Sequence, residues 1–184
     1  MDRKVVFEGV SEKGNKIVIC YPTKDDTQIF WEYINTLSKE RTFVRLQGEE
    51  ITLESETRYL SRQLDRINRK TTVELIVFCN GKLIGISAID MRDRTEKHEG
   101  VFGISISKEY RGEGIGKQFM QSVLEEAKKN MPQLRIVTLG VFGDNPLAKS
   151  MYEKFGFKEY GRLPKGSLHG EYVDHIHMYK NIRE

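Results

Sequence analysis

Cysteine, long hydrophobic runs and an excess of charge of one sign are all scarce in this sequence of 184 residues. Its two cysteines, Cys20 and Cys79, are too few for the disulfide framework of a small secreted protein. Both lie in strand-like runs, so we expect them to be buried, reduced and inert. A catalytic thiol is the less favoured alternative, because neither cysteine has a histidine nearby in the sequence.

Hydrophobic runs stay well below the length that a membrane span requires. Residues 75–79 (LIVFC) form one of the longest runs, whereas a transmembrane helix needs about 20 apolar residues. The start of the chain carries Asp2, Arg3 and Lys4 in place of the apolar core of a signal peptide. These absences predict a cytoplasmic protein with no membrane partner.

The net charge limits the classes of partner, and the absence of repeats and linkers limits the number of domains. The formal net charge is only +3, so no nucleic acid or anionic membrane is expected as a partner. The sequence has no internal repeat, no low-complexity segment and no linker long enough to separate two domains. We therefore expect a single domain over residues 1–184.

The most informative stretch is residues 101–116, VFGISISKEYRGEGIG. Its apolar-rich first part predicts a strand, its glycines predict a tight turn, and the apolar residues that follow recur with helical spacing. Glycine lets the backbone approach a ligand closely, and the start of a helix adds the positive end of its dipole. The stretch therefore predicts a seat for an anion, best suited to a phosphate or pyrophosphate.

Three other interpretations of this loop can be compared by spacing. A Walker A loop fails, because the Gly116-Lys117 pair is followed by Gln118 where Ser or Thr is needed. A dinucleotide fingerprint is weak, because Lys117 occupies the position of its third glycine. A plain strand-to-helix turn stays open on the loop alone.

A second patterned segment follows the next predicted strand, residues 134–142 (LRIVTLGVF). Residues 145–157 read N-x-x-A-x-x-x-Y-x-x-x-G-F. This pattern resembles the second acetyl-CoA segment of the GNAT superfamily of N-acetyltransferases, and Arg111-x-x-Gly114-x-Gly116 resembles the pyrophosphate loop of the same superfamily. Two such segments in the correct order are hard to obtain by chance. The chain is therefore identified as a member of that superfamily, and the resemblance covers most of its length.

The resemblance implies an α+β fold, which the order of predicted elements also favours. It implies one GNAT-type N-acetyltransferase domain whose mixed, mainly antiparallel, twisted sheet is flanked by helices, with acetyl-CoA in the cleft between the two central strands. Residues 5–7 and 16–21 predict an edge hairpin, and Asn80-Gly81 predicts a type I′ hairpin turn. Near the C-terminus we expect a short strand at 158–162, a loop with Pro164, Gly166 and Gly170, and a last strand at 171–180.

Acetyl-CoA is the cosubstrate that the resemblance implies. Its pantetheine arm would pair with the strand residues Ile104, Ser105 and Ile106, whose N–H groups would polarise the thioester carbonyl. Its pyrophosphate would bind to backbone N–H groups of the loop, with charge-assisted contacts from the Arg111 and Lys117 side chains. The loop residues assigned to the cofactor are Arg111, Gly112, Glu113, Gly114, Ile115, Gly116 and Lys117.

Tyr152 is the candidate catalytic acid. In the superfamily, the tyrosine of this segment lies near the cofactor sulfur and protonates the thiolate as it leaves. The alternative is a core aromatic. Leu147, Met151 and Phe155 form the apolar stripe expected for this helix, however, and Tyr152 stands one position off it.

Several other candidate residues have two interpretations each. Asn145 contacts the cofactor, caps its helix, or does both. Glu99 is the candidate general base, acting directly or through a water, or else a solvated strand end. His175 and His177 lie on one side of the last strand, but without an obvious set of further ligands we expect no metal.

The acceptor is the least patterned part of this assignment. The resemblance favours direct attack by the primary amine of a small molecule such as an amino acid, a polyamine or an aminoglycoside. A protein or peptide amine, at an N-terminus or a lysine, is the alternative within the enzyme class. A non-catalytic acyl-CoA-binding sensor is the alternative outside it. Dimers are common in the superfamily, so a homodimer also stays open.

Overall fold

The computed structural model of the protein describes residues 3–183, and within them the chain forms two compact units. The first unit contains the chain up to Asp90 together with Gly103–Pro132, and the second contains Met91–Phe102 and the chain from Gln133 onwards. Met1, Asp2 and Glu184 lie outside the described residues, and with them part of the start on which the signal-peptide expectation depends. Along residues 3–183, no helix has the length and apolarity needed to cross a membrane.

The first unit is built from a run of antiparallel strands and three helices. Strands β1 to β4 are neighbours in chain order, and the second half of β5 follows β4. The elements are β1 (Val5–Val10), β2 (Lys16–Cys20), α1 (Thr27–Lys39), α2 (Leu53–Asn68), β3 (Thr72–Cys79), β4 (Lys82–Met91), β5 (Glu99–Ile106) and α3 (Ile115–Asn130).

Local turn chemistry explains the two hairpins of this unit, and both predictions are confirmed. Asn80 and Gly81 have φ values of +49° and +85° between β3 and β4, as a type I′ turn requires. β1 and β2 pair in the same antiparallel way around the turn at residues 11–15. Thr52 caps α2 as its sequence suggests, because its hydroxyl oxygen accepts a 3.2 Å hydrogen bond from the Ser55 N–H.

The core of the first unit lies where the apolar faces of α1 and α2 meet β2 and β3. Apolar residues at helical spacing in α1 point inward and meet the continuous apolar run of β3. The fully or almost fully buried members of this cluster are Cys20, Phe30, Tyr33, Leu37, Leu60 and Ile76. Cys20 and Cys79 are both buried and free, so the expectation of reduced cysteines that lie in strands is confirmed.

The second unit contains one parallel strand pair. The first half of β5 pairs in parallel with β6 (Ile136–Phe142). β6 pairs antiparallel with β8 (Glu171–Asn181), which pairs antiparallel with β7 (Lys158–His169), and α4 (Pro146–Lys154) connects β6 to β7. The α+β class with a mixed, mainly antiparallel sheet is therefore confirmed.

Strand β7 is longer than the sequence predicts. The expected loop around Pro164 and Gly166 is wrong, because β7 continues through both residues to His169. Proline, which lacks an N–H, is tolerated in an edge strand. The pairing with β8 shifts register between Leu163 and Ser167, and Lys165 adopts a φ of +55° there. An irregularity inside a continuous strand accounts for the residues that read as a loop.

A buried carboxyl group lies between α2 and β3 in the first unit. Oε2 of Glu74 accepts hydrogen bonds from the Tyr59 hydroxyl (2.6 Å) and the Gln63 amide (2.9 Å). Its Oε1 has no hydrogen-bond partner in the part of the chain that the structure describes. Burial raises the pKa of Glu74 to about 7, the bonds from Tyr59 and Gln63 oppose that rise, and the nearby Asp90 and Glu56 add to it.

This carboxyl group gives stability a pH dependence that Glu74→Gln should remove. The folded-state pKa of Glu74 is raised, so the stability that the group contributes is full below its ordinary pKa of 4.5. That contribution is lost as the pH rises towards 7. Relative to wild type, we expect the variant to gain about 2 kcal/mol or slightly more of unfolding free energy between pH 5 and pH 8.

Urea unfolding of both proteins at pH 5 and pH 8 measures this difference. Glu54→Gln is the matched control, because Glu54 lies on α2, the helix that covers Glu74, but its own side chain is 80% exposed. A Glu74→Gln effect that is the same at both pH values would contradict the assignment.

Candidate active site

The strand, glycine-rich turn and helix predicted from residues 101–116 follow one another in the first unit. After β5, a short 3₁₀ turn at Lys108–Tyr110 leads into the loop. Gly112 and Gly114 adopt φ values of +75° and +74°, which side chains disfavour. Gly114 is the left-handed N-cap of the 16-residue helix α3. The first N–H groups of α3 lack intrahelical partners and form the anion-binding end of its dipole.

The side chain of Arg111 folds back onto the protein. Its guanidinium pairs with Glu40 at the end of α1 (2.9 Å) and donates to the Ile106 carbonyl oxygen (2.8 Å). Glu40 also accepts a 2.9 Å hydrogen bond from the Lys108 N–H. Arg111 therefore anchors the loop to two other elements. Charge-assisted contacts from Arg111 and Lys117 to a pyrophosphate stay a prediction.

The strand residues assigned to the pantetheine arm lie at the end of β5, ahead of the loop. The Ser105 hydroxyl accepts a 2.9 Å hydrogen bond from the Tyr33 hydroxyl and donates to the Ile86 carbonyl at 3.3 Å. A Cβ on Gly85 would lie 2.8 Å from the Ser105 carbonyl oxygen, so β4 and β5 approach closely at this point. The backbone of Ile104–Ile106 is thus held on one side, and its role towards the cofactor stays a prediction.

In the second unit, Asn145 is the N-cap of α4. Its side-chain oxygen accepts a 3.1 Å hydrogen bond from the Ala148 N–H, and Pro146 occupies the first turn. The capping interpretation is therefore confirmed, and contact with the cofactor stays a prediction.

Asn145→Ala should lower the unfolding free energy by about 1 kcal/mol, because the N–H at Ala148 loses its acceptor. Asn145→Asp replaces the amide oxygen with a carboxylate oxygen that can accept the same hydrogen bond, and it should be close to wild type. Urea denaturation measures both values. Equal destabilisation by the two substitutions would argue against the cap as the source of the effect.

The buried face of α4 differs from the predicted one. The expected apolar stripe of Leu147, Met151 and Phe155 is wrong, since Leu147 is 85% exposed. Tyr152 is the buried residue of this helix, and its ring lies against Phe102 and Phe157 with centroids about 6 Å away. Packing of one large ring decides the face of this nine-residue helix.

The environment of the Tyr152 hydroxyl bears on its chemistry. Burial raises the pKa of Tyr152 to about 12. Within residues 3–183, burial is the sole cause of this pKa shift, and no hydrogen bond contributes to it. The group is therefore protonated at neutral pH and is not consumed by a structural bond. The role of Tyr152 as an acid stays a prediction.

Glu99 begins β5 in the second unit and is partly covered, with its side chain 22% exposed. Its Oε1 accepts hydrogen bonds from Arg92 Nε (2.9 Å) and the Thr138 hydroxyl (3.0 Å). Both contacts use the same oxygen, so Oε2 is the oxygen through which Glu99 would act as a base. That role stays a prediction.

The two histidines of β8 lie side by side, with ring centroids 4.7 Å apart. Nδ1 of His175 is 2.8 Å from the Ser167 hydroxyl on β7. Its Nε2 lies where a Cβ on Gly140 would approach to 2.2 Å, so the ring covers the backbone of β6. Within the described range 3–183, no group of three or more His, Cys, Asp or Glu is placed to hold a metal ion.

Some contacts of the loop lie beyond what the sequence analysis found. Glu40 and the residues that bind the Glu113 carboxylate (Ser11, Lys13 and Asn15 of the β1–β2 turn) are distant in sequence from the glycine motif. Neither forms a recognisable motif, so only the folded chain reveals them.

Two relatives have similar sequences. The chain is 30% identical over 117 residues to the L-amino acid N-acetyltransferase AaaT of Escherichia coli (strain K12), a match that covers 62% of this chain and 72% of that protein. It is 36% identical over 78 residues to N-alpha-acetyltransferase 30 of Schizosaccharomyces pombe, which covers 42% of this chain and 51% of that protein. The second match is thus confined to about half of the relative.

Solved structures share the fold. An acetyltransferase of the GNAT family from Streptococcus pneumoniae superposes with a TM-score of 0.83 at 28% identity, over 91% of this chain and 99% of that one. The yncA protein of Salmonella typhimurium, solved with its cofactor acetyl-CoA, gives a TM-score of 0.78 at 14% identity, over 91% and 95% of the two chains. At 14% identity, the similarity to the Salmonella typhimurium protein shows a shared fold and nothing more.

The family itself follows from a match to most of the chain. The model of the acetyltransferase (GNAT) family matches residues 29–157, which include both the glycine-rich loop and α4. The resemblance carried by the two motifs is confirmed. The chain belongs to the GNAT family of N-acetyltransferases.

Proposed function

We propose that the protein transfers the acetyl group of acetyl-CoA to the primary amine of a small, amino acid-like molecule. The amine attacks the thioester carbonyl, the carbon–sulfur bond breaks, and an amide and free CoA thiol are released. No covalent enzyme intermediate forms. Residues 1–184 act in this proposal as one N-acetyltransferase domain.

The observation that carries this proposal is the backbone of the glycine-rich loop. Two left-handed glycines, Gly112 and Gly114, flank Glu113 and lead directly into the N-terminus of α3. The N–H groups of Ile115, Gly116 and Lys117 stand at the positive end of a long helix. A pyrophosphate is the anion that this arrangement suits, and acetyl-CoA carries one.

Two side chains supply the proton chemistry in this proposal. Glu99 removes a proton from the acceptor ammonium through Oε2, directly or through a water, and so produces the nucleophilic amine. Tyr152 donates a hydrogen bond to the departing sulfur. The sulfur then takes up the proton that the attacking nitrogen loses as the amide forms, which gives the thiol. The N–H groups of Ile104–Ile106 polarise the thioester carbonyl.

The acceptor class is supported by the relative with the longer match. That protein is named an L-amino acid N-acetyltransferase, and 72% of its length is matched. A second candidate is acetylation of a protein or peptide N-terminus, favoured by the 36% identity to an N-alpha-acetyltransferase. The shorter coverage of that relative makes it the second choice.

Free-thiol release from acetyl-CoA tests both candidates. Separate pools of L-amino acids, polyamines, aminoglycosides and short peptides serve as acceptors. Each pool has a matched control in which the amines are already acetylated. We expect turnover with the L-amino acid pool and none with its blocked control.

The other outcomes are equally informative. Turnover with peptides alone would favour the second candidate. Tight binding of acetyl-CoA without turnover in any pool would contradict the enzyme and favour a sensor of the cofactor.

A further inference from the structure

Glu113 is an acidic residue in the middle of a loop assigned to a pyrophosphate. It stands between Gly112 and Gly114, where an exposed carboxylate would repel a phosphate oxygen. The residue is nevertheless only 3% exposed. Its side chain is therefore turned into the protein, and its partners explain why an acid is present.

The partners of the carboxylate all come from the β1–β2 turn, residues 11–15. Oε2 accepts hydrogen bonds from the Ser11 hydroxyl (3.0 Å) and the Asn15 amide (3.1 Å). Oε1 lies 3.2 Å from the Lys13 ammonium. The backbone adds a fourth contact, because the Glu12 N–H donates to the Glu113 carbonyl at 3.0 Å. Loop and turn are thus joined through both side chain and main chain.

The turn that receives Glu113 has its own internal hydrogen bonds. The N–H groups of Ser11 and Gly14 donate within the turn at 2.8 Å. The Ser11 hydroxyl oxygen also accepts from the N–H groups of Lys13 and Asn15 at 3.3 Å. The Asn80 amide then ties Asn15 to the β3–β4 turn at 3.2 Å. Glu113 therefore docks on a preformed surface and not on a second mobile loop.

The charge of Glu113 is compensated in this setting. Burial acts to raise the pKa of its carboxyl group. Hydrogen bonds from Asn15 and Ser11, together with the Lys13 ammonium, outweigh burial and hold the pKa below its usual range. The group is thus an anion at neutral pH, and it is paired with a cation on the side of the turn.

Glycine-rich loops need such support. Each glycine adds backbone freedom that must be lost before successive N–H groups can point at one anion. Glu40 restrains the start of this loop through Lys108 and Arg111. Glu113 restrains its centre, between the two left-handed glycines.

We infer that Glu113 is a positioning residue for the cofactor, whose carboxylate fixes the glycine-rich loop on the β1–β2 turn so that the loop N–H groups are held ready for the pyrophosphate. The inference rests on the proposed acetyl-CoA function of this loop. It makes β1 and β2, which lie far from the motif in sequence, part of the cofactor machinery.

Two acetyl donors separate this role from a general loss of structure. Acetyl-CoA carries the pyrophosphate, whereas S-acetylpantetheine lacks it. We expect Glu113→Ala to lower kcat/KM for acetyl-CoA about tenfold or more, because a buried, charge-assisted hydrogen-bond network is lost. The value for S-acetylpantetheine should stay within about twofold of wild type. Glu113→Gln, which keeps an oxygen acceptor for Ser11 or Asn15, should recover part of the loss.

Glu109→Ala is the matched control. Glu109 precedes the loop and its side chain is 65% exposed beside Lys82, so the substitution removes the same charge without touching the turn. Simple Coulomb repulsion predicts that removing either acid tightens acetyl-CoA binding. The inference predicts weaker binding for Glu113→Ala alone, which is the opposite sign.

Calorimetric titration measures the affinity of each variant for CoA and needs no acceptor. Equal CoA affinity of wild type and Glu113→Ala, or equal losses with both donors, would overturn the inference. Absence of turnover with every acceptor would overturn only the proposed reaction. The inference about Glu113 would still hold if wild type binds CoA and Glu113→Ala binds it about tenfold more weakly or worse. A thermal melt confirms that each variant is folded.

Discussion

Replacing Tyr152 with phenylalanine is expected to lower kcat for acetyl transfer about 100-fold, with the KM for acetyl-CoA nearly unchanged. The ring of Tyr152 is buried against Phe102 and Phe157, and phenylalanine keeps those contacts. What is lost is the hydroxyl that would stabilise the departing thiolate. The measurement is steady-state kinetics with the acceptor that the pooled assay identifies.

The pKa of Tyr152 sets a further expectation. With the pKa raised to about 12 by burial, the hydroxyl stays protonated well above neutral pH. It is also a weaker acid than a thiol with a pKa of about 8.5. Its main contribution is then a hydrogen bond to the developing thiolate, and kcat should not fall with Tyr152 ionisation below about pH 10.

Tyr160→Phe is the control for Tyr152→Phe. Tyr160 lies on β7 in the same unit and is 57% exposed, so it loses an equivalent hydroxyl away from the proposed chemistry. Similar melting temperatures for all three proteins would show that packing is preserved. An unchanged kcat in Tyr152→Phe would remove this residue from the mechanism.

Gly114→Val should raise the KM for acetyl-CoA about 100-fold, since small displacements of a binding group are costly. Gly114 has a φ of +74°, a conformation that a β-branched residue strongly disfavours. To relieve that strain, the chain must rotate the peptide groups that begin α3 and so redirect their N–H groups. The steric conflict is secondary, because the nearest atoms belong to the flexible end of the Glu12 side chain.

Gly81→Val is the control, because it introduces the same backbone strain away from the glycine-rich loop. Gly81 has a φ of +85° in the β3–β4 turn, and a Cβ there would meet nothing within 4 Å. The free energy of unfolding should fall by about 1–2 kcal/mol in both variants, because valine must adopt a left-handed backbone conformation in each. Only Gly114→Val should change the KM. Parallel increases in KM for the two variants would indicate a general effect of destabilisation.

Local signals in the sequence were sufficient for the elements that position the loop. Asn80-Gly81 specifies its turn without help from the rest of the chain, and Gly156, with a φ of +83°, follows the end of α4 as glycine commonly does. The strand, turn and helix at residues 101–130 follow from glycine spacing and apolar periodicity alone. Each of these features depends on neighbours in sequence.

Features that depend on distant partners were not predictable in this way. The contact between the Tyr152 ring and Phe102 on β5 determines which face of α4 is buried. The spacing of residues within α4 gives no information about that contact. Strand β7 continues past Pro164 because β8 pairs with it up to Leu163 and again from Ser167. The side chain of Glu113 finds its role only when folding brings it to residues about a hundred positions away.

The ring of His175 lies over Gly140, so the residue on β8 limits which residues β6 can carry at position 140. A Cβ at position 140 would overlap the imidazole at 2.2 Å, so the two side chains share one volume. Within this sheet, any larger residue on β6 at position 140 requires a smaller or redirected one on β8 at position 175. A side chain at position 140 is therefore compatible with this sheet only if position 175 also changes, whereas a smaller residue at position 175 is compatible with Gly140.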